Sequence, residues 1–341
     1  MSENNGVQAL IDQHGDRVIF QRVTAAGLSG LRPSNNAMLP GGVAYEQQSS
    51  IGEMLLPSTM AAPDGTMKGT YVTFGKEALL SGEKDEIGLY GEFPRADLGV
   101  TFTDIELKVY GMSAWVSPWE RSVAAASGID IYSQKAKLIR TQVETAREAR
   151  AATLLTTTSN YASASHYETL SGTSQWSHSS ADPLGAINTK IETLRGILGA
   201  RPNVLWLSPK AANALRLHPN IVKYVSGGST RVNPAVPISL EMVQSILGVR
   251  VYVGEAIAAT APGGTVSDVW GDCAGLLYVG GPGMYDLKFG CTLISSGYPK
   301  QRVERDPHRG DSGIEVLYYS DAYTHAVQLN TAGYLWSDVT A

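Results

Sequence analysis

The stretch Arg305-Asp306-Pro307-His308-Arg309-Gly310-Asp311 comes closest to a chemical site. A carboxylate, an imidazole and a second carboxylate (Asp306, His308, Asp311) fall within six residues, a donor set suited to a divalent metal. Pro307 and Gly310 place them in a turn, where the same residues are ordinary solvated loop chemistry. No His-Glu-x-x-His accompanies them, and Arg309-Gly310-Asp311, an adhesion-type tripeptide, carries little meaning in a polar loop. His325 follows Asp321 by four positions in a strand-like run, which separates the two side chains by about 13 Å, too far to pair. His218 precedes Pro219 at a helix end and reads as structural. Gly280-Gly281-Pro282-Gly283 follows a strand but lacks the Lys-Ser/Thr of a phosphate loop, and no serine sits in Gly-x-Ser-x-Gly. A metal-dependent enzyme is thus the weaker reading. No catalytic, cofactor-binding or metal residue is assigned, and no cofactor is expected.

Composition narrows the classes further. The 341 residues can bury one large core or two moderate ones, and 43% are hydrophobic against 17% charged. A net charge of −5 gives no global basic field. Lys300, Arg302, Arg305 and Arg309, beside Tyr298, form the strongest basic cluster, but Glu304, Asp306 and Asp311 largely cancel it. Sequence-specific nucleic-acid recognition is not supported. Cys273 and Cys291 form neither a metal spacing nor a disulfide framework, so a reducing compartment is the default. The first residues lack a basic-then-apolar leader and no apolar run approaches a membrane span, so a soluble, unexported chain is expected.

The elements that would carry these residues are uneven. Residues 1–60 show no sustained helical period. Val18 to Phe20 is a short apolar patch among Gly27, Gly30, Pro33, Pro40, Gly41 and Gly42, an arm expected to order only against other surfaces. Thr70 to Phe74 reads as a strand, and Val100 to Trp115 as one long strand; the hydrophilic residues between them make a hairpin-like excursion. A lone two-stranded ribbon is marginal in water, so something else must hold it. Asp130 caps a helix of roughly seven turns, to about Leu155, with Tyr132, Ala136, Ile139, Val143 and Ala146 on one face. Ser and Thr then crowd residues 151–180 around Trp176. Asp182-Pro183 starts a helix ending at Gly199.

Next comes Pro202-Asn203-Val204-Leu205-Trp206-Leu207-Ser208-Pro209, an apolar strand running into a helix start. A short helix is expected through Leu215, broken by His218-Pro219 before an apolar patch of Ile221, Val222 and Tyr224. A loop, Ser226 to Thr230, and a helix capped by Ser239 and stopped by Gly248 follow. Strands are expected at 249–253 and 275–279, on either side of a flexible Ala261 to Gly264. Further β segments are expected at 284–293, 314–327 and 327–336, with a polar excursion at 302–311.

This order of elements resembles the major capsid protein of tailed bacteriophages, whose fold is shared with encapsulins. The closest motifs are Leu205-Trp206-Leu207-Ser208-Pro209, Leu215 to Tyr224, the Gly248-Val249 strand entry and Trp270-Gly271-Asp272 before strand 275–279. The likeness spans most of residues 15–335.

It implies an α+β capsid fold. Residues 1–60 would be an N-terminal arm and 61–116 an extended β loop reaching over a neighbouring subunit. Residues 117–182 would be a peripheral domain with its spine helix, and 183–292 an axial α/β domain. Residues 293–341 would be closing β segments returning to the peripheral domain. It implies a subunit that assembles into the hexamers and pentamers of an icosahedral shell enclosing double-stranded DNA. The virion would be its location and the host cytoplasm the place of assembly. An encapsulin-like compartment is the alternative.

Partners implied are further copies, a separate scaffolding protein, a portal and a decoration protein. Contact with packaged DNA would be non-specific, and no membrane is involved. The scaffold would be separate because residues 1–60 are too few for a cleaved helical scaffolding segment. Some relatives join a loop lysine to an asparagine covalently; Lys68, Lys76, Lys84 and Asn220 form no local motif for this, and no crosslink is expected. The acidic run Glu83 to Glu86, with Asp97, has Arg140, Arg147 or Arg150 of a neighbour as candidate partners, with a solvated surface as the equal alternative.

Overall fold

The computed structural model describes residues 50–74, 100–225, 238–259, 264–309 and 313–341. In chain order they form α1 (Gly52–Leu55), β1 (Ser58–Ala62), β2 (Lys68–Phe74), β3 (Val100–Glu106), β4 (Lys108–Val116), α2 (Pro118–Ala126) and α3 (Ile131–Thr156). Then come β5 (Tyr167–Thr169), α4 (Pro183–Leu198), β6 (Val204–Leu207), α5 (Pro209–Leu217), α6 (Pro219–Val225) and α7 (Leu240–Leu247). The chain continues through β7 (Arg250–Val253), β8 (Ile257–Ala259), β9 (Val266–Asp268), β10 (Cys273–Leu277) and β11 (Gly290–Ser295). It closes with β12 (Lys300–Asp306), β13 (Ile314–Val327) and β14 (Gly333–Ser337).

The chain divides into two compact units. The larger holds residues 47–108, 145–297 and 322–341, around a sheet of order β5-β14-β10-β6-β7. β6 is apolar at every position and buried throughout, which suits a central strand, parallel to β7 and antiparallel to β10. Ser208 accepts from the Ala211 amide and Pro209 opens α5, as the strand-to-helix sequence dictates. α4 has the same design: Asp182 accepts from the Gly185 amide, and Ile187, Ile191, Leu194 and Leu198 recur at helical spacing on the buried side. Each such side chain contributes roughly 2 kcal/mol of apolar burial. Trp176, Trp206, Trp270 and Trp336 are fully buried in this core.

In the same unit β1 runs parallel to β11, and β11 antiparallel to the last part of β13. In the smaller unit the first part of β13 pairs with β12 and also with β4. The start of α3 lays Ala136, Ile139 and Val143 against Val116, Leu317 and Tyr319 there.

Several elements depart from the sequence expectation. The single strand over 100–115 is two strands, because Leu107 turns inward (3% exposed) and donates its amide to the Met67 carbonyl. The polar excursion at 302–311 is in part a strand, Lys300–Asp306; an edge strand takes its bonds from the backbone, and its charges discourage further pairing. β structure over 284–293 and 327–336 is confined to Gly290–Ser295 and Gly333–Ser337. α5 runs two residues beyond Leu215, and Ile221 and Val222 are buried in the next helix, α6. Ser239 precedes α7 without a side-chain capping bond.

Candidate assembly surfaces

The β2–β3 ribbon pairs from Lys68↔Glu106 to Phe74↔Val100. Its base is tied to the larger unit at several points. Gln328 donates to the carbonyls of Val72 (2.9 Å) and Met284 (2.7 Å), and Thr324 donates to that of Glu106 (3.1 Å). Gly69 passes so close to the Ala61 carbonyl that a Cβ would stand 2.4 Å from the oxygen. Val72 is fully buried at this base while Phe102 is 64% exposed. The ribbon is therefore held by its own chain and still presents apolar surface. Residues 75–99, with Glu83 to Glu86, Asp97, Lys76 and Lys84, lie outside the described residues.

A second feature is the segment 50–52, where the described chain begins. Glu148 of α3 is 2% exposed and accepts from the Ser50 hydroxyl (2.6 Å) and the amides of Ile51 (2.9 Å) and Gly52 (2.8 Å). It also accepts from the Trp270 indole (3.0 Å). Four donors satisfy a carboxylate that would otherwise be costly to bury. Residues 1–49 lie outside the described residues, as do 226–230 and 261–263 of the two expected tip loops.

In the smaller unit α2 has a capping box between Ser117 and Glu120, and only Ala124 of its nine residues is buried. The Lys135 ammonium and the Ser117 amide hold the Glu120 carboxyl below its usual range. The helix leaves Trp119 (74%) and Val123 in solvent, and Val109, Met112 and Trp115 of β4 are also exposed.

The sequence-flagged residues are placed as follows. Asp306 accepts from the His308 amide and pairs with Arg309 at 3.2 Å, and the Arg309 guanidinium lies over Trp115. Asp306 is thus occupied within its turn; Gly310 and Asp311 lie outside the described residues. Among the described residues no group of three or more His, Cys, Asp or Glu can hold a metal ion. Arg302 pairs with Glu304 and covers Tyr318, and Lys300 covers Tyr298.

Arg140 pairs with Glu144 on its own helix, Arg150 donates to the Tyr323 hydroxyl, and Arg147 reaches Ser58. His218 accepts from the Asn220 amide and contacts the His178 carbonyl, while the Asn220 side chain donates to Ala181. Both are structural. Lys68 is exposed on β2. Burial pushes the Cys273 thiol up to about 11 and raises that of Cys291, so neither is a reactive thiolate at neutral pH. Among the described residues no helix is long and apolar enough to cross a membrane.

The glycine run has a role that the sequence reading did not assign. Lys288, fully buried, donates to the carbonyls of Gly281 (3.1 Å) and Gly283 (2.8 Å) and to the Thr59 hydroxyl (2.9 Å). Three acceptors match its three protons, and burial lowers its pKa. Glu148, Lys288 and Gln328 were all missed. Only Glu148 had a signal: Ala151, Ala152 and Leu155, at helical spacing from it, form an apolar stripe that includes its position.

A ribbon tied at its root, a five-stranded α/β sheet and a 26-residue helix make this an α+β fold. No protein-family model matches the chain. It is 25% identical over 323 residues to the major capsid protein of Burkholderia phage BcepMu, covering 92% of this chain and 98% of that one. It is 30% identical over 202 residues to the major capsid protein of Pseudomonas phage JBD67, covering 57% of this chain and 62% of that protein. The crystal structure of a phage-related protein from Bordetella bronchiseptica superposes with a TM-score of 0.68 at 27% identity, over 86% of this chain and 94% of that one. An encapsulin from Synechococcus elongatus shares the fold, with a TM-score of 0.53 at 12% identity over 93% and 96% of the two chains. The protein resembles phage major capsid proteins in sequence and structure, and the likeness is to structural proteins rather than enzymes.

Proposed function

We propose that the chain is the subunit of an icosahedral phage shell, assembling as hexamers and pentamers around double-stranded DNA. The observation that carries this reading is the likeness to a phage major capsid protein along 98% of that protein's length. The ribbon anchored to its own chain and the exposed α2 surface support it, because each leaves apolar side chains open to a neighbouring copy. Many modest contacts in closed symmetry then stabilise the whole by mass action. In this reading 1–60 is the arm, 61–116 the extended loop, 117–182 the peripheral domain, 183–292 the axial domain and 293–341 the closing segment. Assembly takes place in the host cytoplasm, with a separate scaffolding protein and with portal and decoration proteins as further partners.

Electron microscopy and light scattering of the purified chain test it. Uniform hollow particles, or rings of five and six, are expected. A persistent monomer or dimer, even with a scaffold supplied, would reject the reading. Nuclease-protected DNA in particles from infected cells separates a genome shell from an encapsulin-like compartment, which would hold protein cargo.

A further inference from the structure

Glu148 joins two things that the sequence keeps far apart. Three of its four bonds come from the arm root, from Ser50, Ile51 and Gly52; the fourth comes from Trp270. Trp270 is fully buried and packs on Trp206 of the central sheet at 5.1 Å between ring centroids. The root is therefore tied to the core of the larger unit and not to its surface. Ile51, Leu55 and Leu56 are buried on the same side of the junction. Gly52 leaves no room for play: a Cβ there would stand 2.5 Å from Glu148 Oε2 and 2.9 Å from the Ala151 Cβ. An apolar residue at position 148 would pack against the root but could not hold its amides in one orientation. The carboxylate does, because each of its oxygens takes one root amide and one further donor.

We propose that Glu148 is the positioning residue for the N-terminal arm, fixing the direction in which residues 1–49 leave the body so that they reach a second copy of the chain. The inference rests on the shell reading and adds to it the group that aims the arm. A fixed root limits which surface the chain ahead of it can meet.

The test uses the full chain with Glu148→Gln, which offers an amide NH2 where two donors need an acceptor. Hydrogen exchange of the unassembled subunit is read at Ile51 and Gly52, and particle formation is followed by light scattering and microscopy. Exchange at the two root amides should rise roughly tenfold, with β6 and β10 still protected, and particle yield should fall by a similar factor. Ile191→Val, which weakens the core away from the root, is the control for stability alone and should assemble better than Glu148→Gln.

If Glu148→Gln does not fold, Gly52→Ala disturbs the same contact from the arm side and should show the same pairing of root exchange with lost assembly. Freed root amides in a variant that assembles as well as wild type would overturn the proposal, as would unchanged root protection. Wild type that forms no particles would reject the shell reading and this inference together, an outcome easily told from the other two.

Discussion

Buried polar side chains, more than exposed ones, set the local geometry. Thr292 spends its hydroxyl proton on the Leu56 carbonyl, so His325 donates from Nδ1 to the Thr292 oxygen. That leaves Nε2 buried, and a backbone interaction at Arg147 only partly offsets the cost of charging the ring. Burial, and then the nearby charges of Arg147 and Arg150, lower the His325 pKa from 6.5 to about 4. The Tyr323 ring packs beside it at 5.1 Å between centroids. The folded state thus prefers the neutral ring, while the unfolded chain takes up a proton first as pH falls. Stability from this group is complete above pH 6.5 and is lost between there and about 4, by at most roughly 3 kcal/mol. Urea midpoints of the unassembled subunit at pH 7 and 4.5 should therefore fall less in His325→Gln than in wild type. Equal falls in both proteins would remove His325 as the source.

At the scale of elements, α3 is the clearest case. Ile139 is 4% exposed and faces Val116, Val143, Leu317 and Tyr319, whereas Leu138 beside it is 55% exposed. Ile139→Asp should cost about 3–5 kcal/mol, because it leaves a charge against a packed face, while Leu138→Asp should stay within about 0.5 kcal/mol. Urea unfolding of the two variants checks this, and comparable losses would refute the assigned face. The same face was legible in the sequence, as were the caps at Asp182 and Ser208 and the buried strand 204–207, because local periodicity and capping encode them. What was not legible depends on distant partners. The strand at 300–306 looks polar because its bonds run to β13, and the break at Leu107 comes from Met67 on the facing side of the ribbon. The clasp of Lys288 on Gly281 and Gly283 hides in a loop that reads as a failed phosphate site. Glu148 sits between Arg147 and Arg150, so it reads as solvated charge unless the apolar stripe beneath it is counted.

At the scale of the molecule, the division of labour between body and ribbon is the feature that the proposed assembly draws on. The body secures the ribbon's base through Gln328, Thr324 and the close pass of Gly69 over Ala61, all on the near side of the Phe74↔Val100 pair. None of these contacts draws on residues 80–95. Deleting those residues leaves 75–79 and 96–99, enough chain to close an antiparallel pair, since hairpin connections of a few residues suffice. The shortened chain should therefore fold, with exchange protection at β6, β10 and α4 as in wild type and an unfolding midpoint little changed. In the proposed shell its assembly should fail, because that reading has residues 61–116 reaching onto a neighbour. The informative comparison is between the two readouts on one sample. A folded, monodisperse small species by light scattering assigns the excursion to contacts between copies. Full-sized shells from the deleted chain would show that the ribbon's far end is dispensable and that the exposed Trp119 surface or the arm makes the contacts between subunits.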